Sequence, residues 1–153
     1  MHEVIIQLEE EPLRFEEDFA CEEDFYDEFV GTVADYVSED VDREEKIEYF
    51  VENLKKYGIT YNPKDQSIIF HKGFKEKYFA EKFFKLKEAV QELTLEDFVR
   101  DTSKVQRIED LINKKYNTYI YTKNTWMTID EFLRYSMEEE RAYYIGSVID
   151  YHF

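Results

Sequence analysis

The sequence has few of the residues that most catalytic and binding motifs require. Its 153 residues include one cysteine, three histidines, four glycines and two prolines. A single cysteine excludes an intrachain disulfide, which favours a reducing, intracellular setting. The scattered glycines form no loop that could bind a phosphate through backbone N–H groups, so the common nucleotide-binding motifs are excluded.

Long hydrophobic runs are also missing. No apolar stretch approaches the ~20 residues of a membrane span, and the N-terminus lacks the basic and apolar regions of a signal peptide. These features predict a cytoplasmic protein that does not contact a membrane. The chain does contain 13 Phe and 13 Tyr, enough apolar surface to offset chain entropy, and its length is typical of one domain. We therefore expect a single folded domain over residues 1–153.

The charge is concentrated in the N-terminal third of the chain. Residues 1–52 contain 20 Asp and Glu against three basic residues, so their net charge is −17, whereas residues 53–153 carry +1. A concentrated negative field favours basic partners and disfavours direct binding to nucleic acid or to anionic membranes. Charge is therefore the strongest functional signal in the sequence.

Apolar spacing predicts the elements of this acidic third. Residues 4–8 are typical of a short strand. Residues 22–37 place apolar side chains every three or four positions, which predicts an amphipathic helix, although Gly31 weakens it. A second helix is predicted after Asp42, with Glu45 at the capping-box position and an end at Gly58. The apolar positions of the first predicted helix are Phe25, Phe29, Val33 and Tyr36 or Val37.

The remaining residues add strands and helices in turn. Residues 59–61 and 67–71 flank a turn and predict a hairpin, and residues 118–122 and 141–153 predict strands, the last with a bulge or bend at Gly146. A further helix is predicted from an apolar stripe with spacings of 4, 3, 4 and 3. This stripe consists of Phe79, Phe83, Leu86, Val90 and Leu93, and capping boxes that predict three short helices begin at Thr94, Ser103 and Thr128. The fold class predicted is α+β, a small, mainly antiparallel sheet packed with four or five helices.

The acidic third supplies the candidate partner-binding residues. Carboxylates three or four positions apart on a helix are about 5 to 6 Å apart, and duplex DNA carries one negative charge per ~1.7 Å of its axis, so clustered acids can imitate a phosphate array. The alternative is a solvated face that only keeps the protein soluble. The candidate residues are Glu9, Glu10, Glu11, Glu16, Glu17, Asp18, Glu22, Glu23, Asp24, Asp27, Glu28, Asp35, Glu39 and Asp40.

The lysine-rich middle of the chain could weaken this hypothesis. Residues 53–87 contain nine lysines against three acids, a net of +6. If the lysine-bearing helix lay beside the acidic segment, ion pairs would blunt the field, although exposed pairs are worth only ~0 to 1 kcal/mol each. Complete pairing would still leave an excess of negative charge.

Metal and catalytic sites are weakly supported. Asp40, Asp42 and Glu44 resemble the start of a calcium loop, but Glu45 replaces the required glycine and Val51 the required glutamate, so we exclude an EF-hand. A divalent-metal enzyme built from other carboxylates is kept as a second alternative. No metal, cofactor or catalytic residue is predicted.

The remaining nucleophilic and acid–base residues have ordinary structural interpretations. Asp150 and His152 could form an acid–base pair on one face of a strand, while His2 and His71 have no ligand spacing. Cys21 lies among acids that should raise its thiol pKa, so we interpret it as a core or boundary residue.

Two apolar features bear on assembly. The Phe79–Leu93 stripe could form a dimer seam, but we favour its docking on the sheet of its own chain. Several tyrosines could serve a partner surface, yet strand alternation explains them as half-buried sheet residues. The predicted state is monomer or dimer.

In size, acidity, aromatic content and lack of a catalytic motif, the chain resembles the anti-restriction and anti-CRISPR proteins of phages and mobile elements that mimic DNA. Its lysine-bearing middle departs from the uniformly acidic surfaces of the purest mimics. The resemblance implies a non-enzymatic inhibitor whose carboxylates occupy the basic nucleic-acid channel of a defence nuclease, such as a Cas effector or a restriction enzyme. The main alternative is a non-inhibitory interaction module that docks a basic partner protein.

Overall fold

A computed structural model describes residues 1–153 and shows one seven-stranded sheet with five α-helices. The α+β class, the mainly antiparallel sheet and the helix number predicted from sequence are confirmed. The strands are β1 (His2–Glu9), β2 (Tyr36–Ser38), β3 (Ile59–Asn62), β4 (Ser67–Phe70), β5 (Tyr119–Thr122), β6 (Thr125–Thr128) and β7 (Ala142–His152). The helices are α1 (Arg43–Lys55), α2 (Phe74–Glu92), α3 (Leu95–Arg100), α4 (Ser103–Ile112) and α5 (Ile129–Glu131), which continues into a π-helical turn at Phe132–Ser136.

The two longest strands form the centre of the sheet. The strand order is β3-β4-β7-β1-β5-β6, and the short β2 pairs with the C-terminal end of β7. Only β1 and β5 are parallel; every other pair is antiparallel. Because β1 is paired on both edges and covered on both faces, its sequence is a nearly continuous apolar run instead of an alternating one.

Alternation along β1 separates two cores. Val4, Ile6 and Leu8 face the helices and pack with side chains of α1, α2 and the α5 region. Ile5 faces the opposite side, where it packs with the irregular segment that precedes α1. The sheet is therefore the middle layer, with the helices on one face and the irregular segment that precedes α1 on the other.

The predicted helix over residues 22–37 is wrong. This region contains only a 3₁₀ turn at Glu22–Phe25, followed by turns and by β2. Gly31 adopts a left-handed conformation (φ +90°), and its N–H donates to the carbonyl of Ala34 (2.8 Å) instead of continuing a helix. Like charges three or four positions apart also destabilise a helix here. The predicted apolar positions are nevertheless buried, except Tyr36, which is exposed.

The capping signals are mostly confirmed. Asp42 caps α1 by accepting a hydrogen bond from the Glu45 N–H (3.1 Å), and Thr94 and Thr128 cap α3 and α5 in the same way. The capping box predicted at Ser103 is wrong, since Ser103 is already helical and follows the N-cap residue Thr102. The hairpin β3–β4 and the strands β1, β5 and β7 lie where the sequence predicted them.

The interpretation of the Phe79–Leu93 stripe is also wrong. Phe74 and Tyr78 in the first turns of α2 are buried against the sheet, but Phe83 is 53% exposed and Val90 51% exposed. Beyond Phe79 the helix leaves the sheet and contacts α4 instead. The stripe therefore does not dock on the chain's own sheet along its length.

Candidate functional site

The acidic segment, residues 9–40, is held against the sheet by aromatic packing. Phe29 is fully buried, and its ring lies 5.1 to 5.2 Å from those of Tyr119, Trp126 and Tyr151, in edge-to-face geometry. Phe25 adds a similar contact with Tyr121 at 5.0 Å. Three strands, β5, β6 and β7, thus supply the surface on which the segment rests. Phe25, Phe29, Val33 and Val37 point inward, which leaves most of the charged side chains of the segment to face water.

A buried glutamine fixes the middle of the acidic segment. The Gln7 side chain donates to the carbonyl of Asp18 (2.8 Å) and accepts from the N–H groups of Ala20 (2.9 Å) and Ser147 (3.1 Å). The Ser147 hydroxyl donates to the carbonyl of Ala20. The β-bulge predicted at Gly146 brings Ser147 to this site, since the register shifts between Ile6 and Leu8. Sequence reasoning missed this anchor, whose only signal was a polar residue within an apolar strand.

The structure places most of the predicted partner-binding acids at the surface. Ten are exposed: Glu11, Glu16, Glu17, Glu23, Asp24, Asp27, Glu28, Asp35, Glu39 and Asp40. Four are half-buried: Glu9, Glu10, Asp18 and Glu22. All fourteen belong to the segment that covers the face of the sheet opposite the helices.

Only four of the fourteen acids have a basic partner. Glu10 pairs with Lys123 (3.2 Å) and with Arg141 (3.1 Å). The others are Glu17 and Asp18, both paired with Arg14, and Asp35, which lies 3.3 Å from the ring of His152. The hydrogen bond from Arg14 lowers the pKa of Asp18. The remaining ten carboxylates form no ion pair, so their field is not cancelled at short range.

Several carboxylates in the segment are positioned by hydrogen bonds from uncharged donors. Glu22 accepts from the Tyr26 hydroxyl (2.7 Å) and from the Glu39 N–H (3.3 Å). The hydrogen bond to Glu22 raises the pKa of the Tyr26 hydroxyl to about 12. Asp24 accepts from the Cys21 N–H (2.9 Å). These carboxylates are held in place while their charge remains uncompensated.

The lysine-rich middle of the chain lies on the helix face of the sheet. Lys82 binds Asp130 (2.7 Å), which is buried and also accepts from the Tyr78 hydroxyl (2.7 Å). Glu81 accepts from Tyr57 and pairs with Lys85 and Lys56, and these contacts lower the pKa of Glu81 to about 2. No lysine of residues 53–87 pairs with any of the fourteen acids. The lysine stretch therefore does not neutralise the acidic segment.

A cleft on the helix face collects several of the basic side chains. It has a volume of about 580 Å³ and is lined by Lys46, Lys56, Lys82 and Lys114, with Glu3 as its only acid. The cleft and the acidic segment are on opposite sides of the sheet. The acids of residues 9–40 are thus separated in space from the lysines of the cleft, although the glutamates of α1 lie on the helix face with them.

The acid–base pair considered for Asp150 and His152 does not form. Asp150 binds the Nδ1 atom of His2 (2.6 Å), and His152 stacks on the ring of Tyr36 (5.0 Å) near Asp35. Strand pairing explains these contacts, because β1 and β2 both pair with β7. Strand β1 brings His2 to Asp150, and β2 brings Tyr36 to His152. His71 contacts Thr60 and Glu140.

No group of three or more His, Cys, Asp or Glu side chains converges as a metal-binding set. Asp42, in the stretch that resembles the start of a calcium loop, caps α1, and Glu44 pairs with Arg43 (3.1 Å). No helix has both the length and the apolar character needed to cross a membrane.

Cys21 is half-buried beside two acids of the segment. Its thiol donates to Glu23 (3.2 Å), and this hydrogen bond is the largest cause of a raised thiol pKa. Because only the thiolate is nucleophilic, we expect Cys21 to react with iodoacetamide more slowly at pH 8 than glutathione does. Glu23→Gln should accelerate the reaction, whereas Glu16→Gln, which removes a charge without touching the thiol, should not. Equal rates for Cys21 and glutathione would show that the thiol is unperturbed.

Comparison of the chain with protein-family models, with curated proteins and with solved structures gives no match.

Proposed function

We propose that the protein is a non-enzymatic inhibitor that binds the basic nucleic-acid channel of a bacterial defence nuclease, with its carboxylates in place of phosphates. One observation carries this proposal. Ten unpaired carboxylates lie on a segment that is fixed to one face of the sheet, and the lysines that could neutralise them lie on the other face. A concentrated negative field of this kind steers association with a positively charged groove.

The backbone that carries the acids is not the helix expected from the sequence. The acids project from turns instead of from a helix, so the regular spacing of about 5 to 6 Å does not apply. A phosphate mimic needs carboxylates at fixed positions, and the burial of Phe25 and Phe29 together with the Gln7 hydrogen bonds supplies that rigidity. A merely solubilising face would not require such anchoring.

Reversing charge at three exposed positions tests whether the acidic segment binds a partner. We expect Glu23→Lys, Asp27→Lys and Glu28→Lys together to weaken binding to a nuclease captured from bacterial lysate about 100-fold, because like charges would meet across the interface. The measurement is an affinity titration of the purified pair at several salt concentrations. Affinity of the wild-type protein should fall steeply as salt rises.

A matched control separates position from total charge. Reversal of Glu76, Glu109 and Asp110 changes the net charge equally, but these exposed acids lie on α2 and α4, away from the acidic segment. This control should bind like the wild type. If the control and the test variant lose affinity equally, only net charge matters and the acidic segment is not the binding surface.

Competition with nucleic acid distinguishes a mimic from the alternative interaction module. A mimic must be displaced by the duplex or guide that normally fills the channel, with each binding event excluding the other. A captured basic protein that binds this chain and nucleic acid together would overturn the mimicry and support the alternative module. The resemblance to anti-restriction and anti-CRISPR proteins makes a nuclease the first partner to test.

A further inference from the structure

The cleft on the helix face has the size and composition of a ligand-binding site. Its volume of about 580 Å³ lies within the range of about 300 to 1,000 Å³ that is typical of small-molecule pockets. It lies between α1, α2 and the residues that connect α4 to β5. Buried side chains of the core on the helix side, among them Val4 and Leu54, line it together with polar groups. An apolar base with a few polar groups around it is the usual composition of a small-molecule site.

Two lysines in this cleft have no counter-charge. Of the four lysines that line it, Lys56 and Lys82 pair with carboxylates. Lys46 and Lys114 take part in none of the chain's ion pairs or side-chain hydrogen bonds. Lys46 is also half-buried, and it is the only lysine in residues 1–52. Because a partly buried charge without a partner is costly, these two ammonium groups favour the binding of an anion in the cleft.

The acids closest in sequence to the lining residues are directed away from the cleft. Glu3 is the only acid in the lining, and alternation along β1 turns its side chain toward the face that holds Ile5, opposite to Val4. The lining residues of α1 recur every three or four positions, so they share one side of the helix, and none of its four glutamates is among them. The polar lining residues of α1 are Lys46, Tyr49 and Asn53, and its glutamates are Glu44, Glu45, Glu48 and Glu52.

The uncharged lining groups indicate which kind of anion fits. Tyr49 is 70% exposed, and Asn53 lies one turn further along the same side of α1, with an amide that forms no hydrogen bond within the chain. Stacking on an aromatic ring and hydrogen bonds from an amide are the contacts by which proteins recognise a nucleobase. The two unpaired lysines match the charge of about −1.5 to −2 that a phosphate monoester carries at pH 7. The cleft therefore combines groups for a base with groups for a phosphate.

We propose that the cleft binds a nucleoside monophosphate, with the phosphate at Lys46 and Lys114 and the base at Tyr49 and Asn53. This mode of binding needs no glycine-rich loop, because lysine side chains contact the phosphate in place of backbone N–H groups. The acidic segment is on the opposite face of the sheet, so its carboxylates stay free when the cleft is occupied. The inference goes beyond the proposed function and does not depend on it.

Calorimetric titration of the purified full chain with AMP, GMP, CMP and UMP tests the site. At least one nucleotide should bind with a micromolar dissociation constant. Lys46→Ala and Lys114→Ala should each weaken that binding about tenfold or more, because each removes a charge-assisted hydrogen bond, and the use of two variants guards against a folding defect in either. The matched control is Lys64→Ala, which removes the same charge from an exposed turn outside the cleft and should bind like the wild type. A wild-type chain that binds none of the four at millimolar concentration, or a control that loses as much affinity as the test variants, would overturn the proposal.

Titration with inorganic phosphate distinguishes a nucleotide site from a site for any anion. Tyr49→Ala should weaken nucleotide binding about tenfold, because it removes the ring on which the base stacks, and it should leave phosphate binding unchanged. Tyr49→Phe keeps the ring and should bind the nucleotide like the wild type. If inorganic phosphate binds as tightly as the nucleotide, the base is not recognised and the assignment to a nucleotide is wrong.

Discussion

Replacement of Phe29 with alanine is expected to lower the free energy of unfolding by about 3 to 5 kcal/mol. The ring is fully buried and contacts four other aromatic rings, those of Phe25, Tyr119, Trp126 and Tyr151. Its removal leaves a cavity between the acidic segment and strands β5, β6 and β7. Since single domains are stable by only about 5 to 15 kcal/mol, this one substitution consumes a large part of the total. Denaturant titration of the variant measures the loss.

The region of the chain that Phe29→Ala destabilises is as informative as the size of the destabilisation. The acidic segment repels itself, so weaker anchoring should open it before the rest of the chain unfolds. Hydrogen exchange at the amides of residues 25–37 should therefore accelerate more than exchange at Ile120, which packs in the helix-side core. Phe15→Ala is the control, because Phe15 is 73% exposed and should cost less than 1 kcal/mol. Uniform acceleration across both cores would show that the acidic segment and the helices open as one unit.

Local signals in the sequence were sufficient where a single element determined its own structure. Asp42 with Glu45 predicted the start of α1, and the 4-3-4-3 spacing after Phe79 predicted α2. The same kind of spacing failed over residues 22–37. An interval of four between Phe25 and Phe29 fits helical geometry, but a chain of short turns on an aromatic surface also buries both rings. Apolar periodicity thus predicts which side chains are buried, but it does not determine the conformation of the backbone between them.

The missed strands depend on partners far along the chain. β2 has only three residues and exists because it extends the edge of β7. β6 follows a two-residue turn in which Lys123 and Asn124 both have positive φ (50° and 61°), a conformation that sequence analysis expects of Asn-Gly or Gly-Gly. The direction in which α2 extends beyond the sheet could not be predicted either, because the same apolar stripe fits packing against the sheet or against another helix, here α4.

For the candidate site, the sequence predicted the identity of the acids but not their surroundings. The net charge of −17 in residues 1–52 could be counted directly. Whether the lysines of α2 would neutralise it depended on which face of the sheet each element covers, and that is decided by the alternation of Ile5 and Ile6 on β1. The structure places the acids of residues 9–40 and the lysines of α2 on opposite faces of the sheet, whereas the four glutamates of α1 share the helix face with those lysines.

Substitution of Gln7 with leucine is expected to destabilise the fold by about 3 to 5 kcal/mol, although leucine is more apolar and suits the strand. The loss arises because three backbone groups lose their partner: the buried Ala20 N–H, and the partly buried Ser147 N–H and Asp18 carbonyl. An unsatisfied buried group costs about 1 to 3 kcal/mol. Thermal and denaturant unfolding measure the change. Gln91→Leu, at an exposed position of α2, is the control and should stay within about 0.5 kcal/mol of the wild type.

Gly146 offers a second way to test the same anchor. A Cβ atom at this position would overlap the amide group of Gln7, with its Cδ atom at 2.6 Å, and would lie 2.8 Å from Leu13 Cδ1. Gly146→Ala should therefore displace the Gln7 side chain and release the Ala20 and Ser147 amides to exchange. Gln7→Leu and Gly146→Ala break the same hydrogen bonds, those of the Gln7 side chain. The double variant should therefore lose less stability than the sum of the two single losses. Additive losses would mean that the glycine is required only for the bulge in β7, and that the glutamine acts alone in fixing the acidic segment to the sheet.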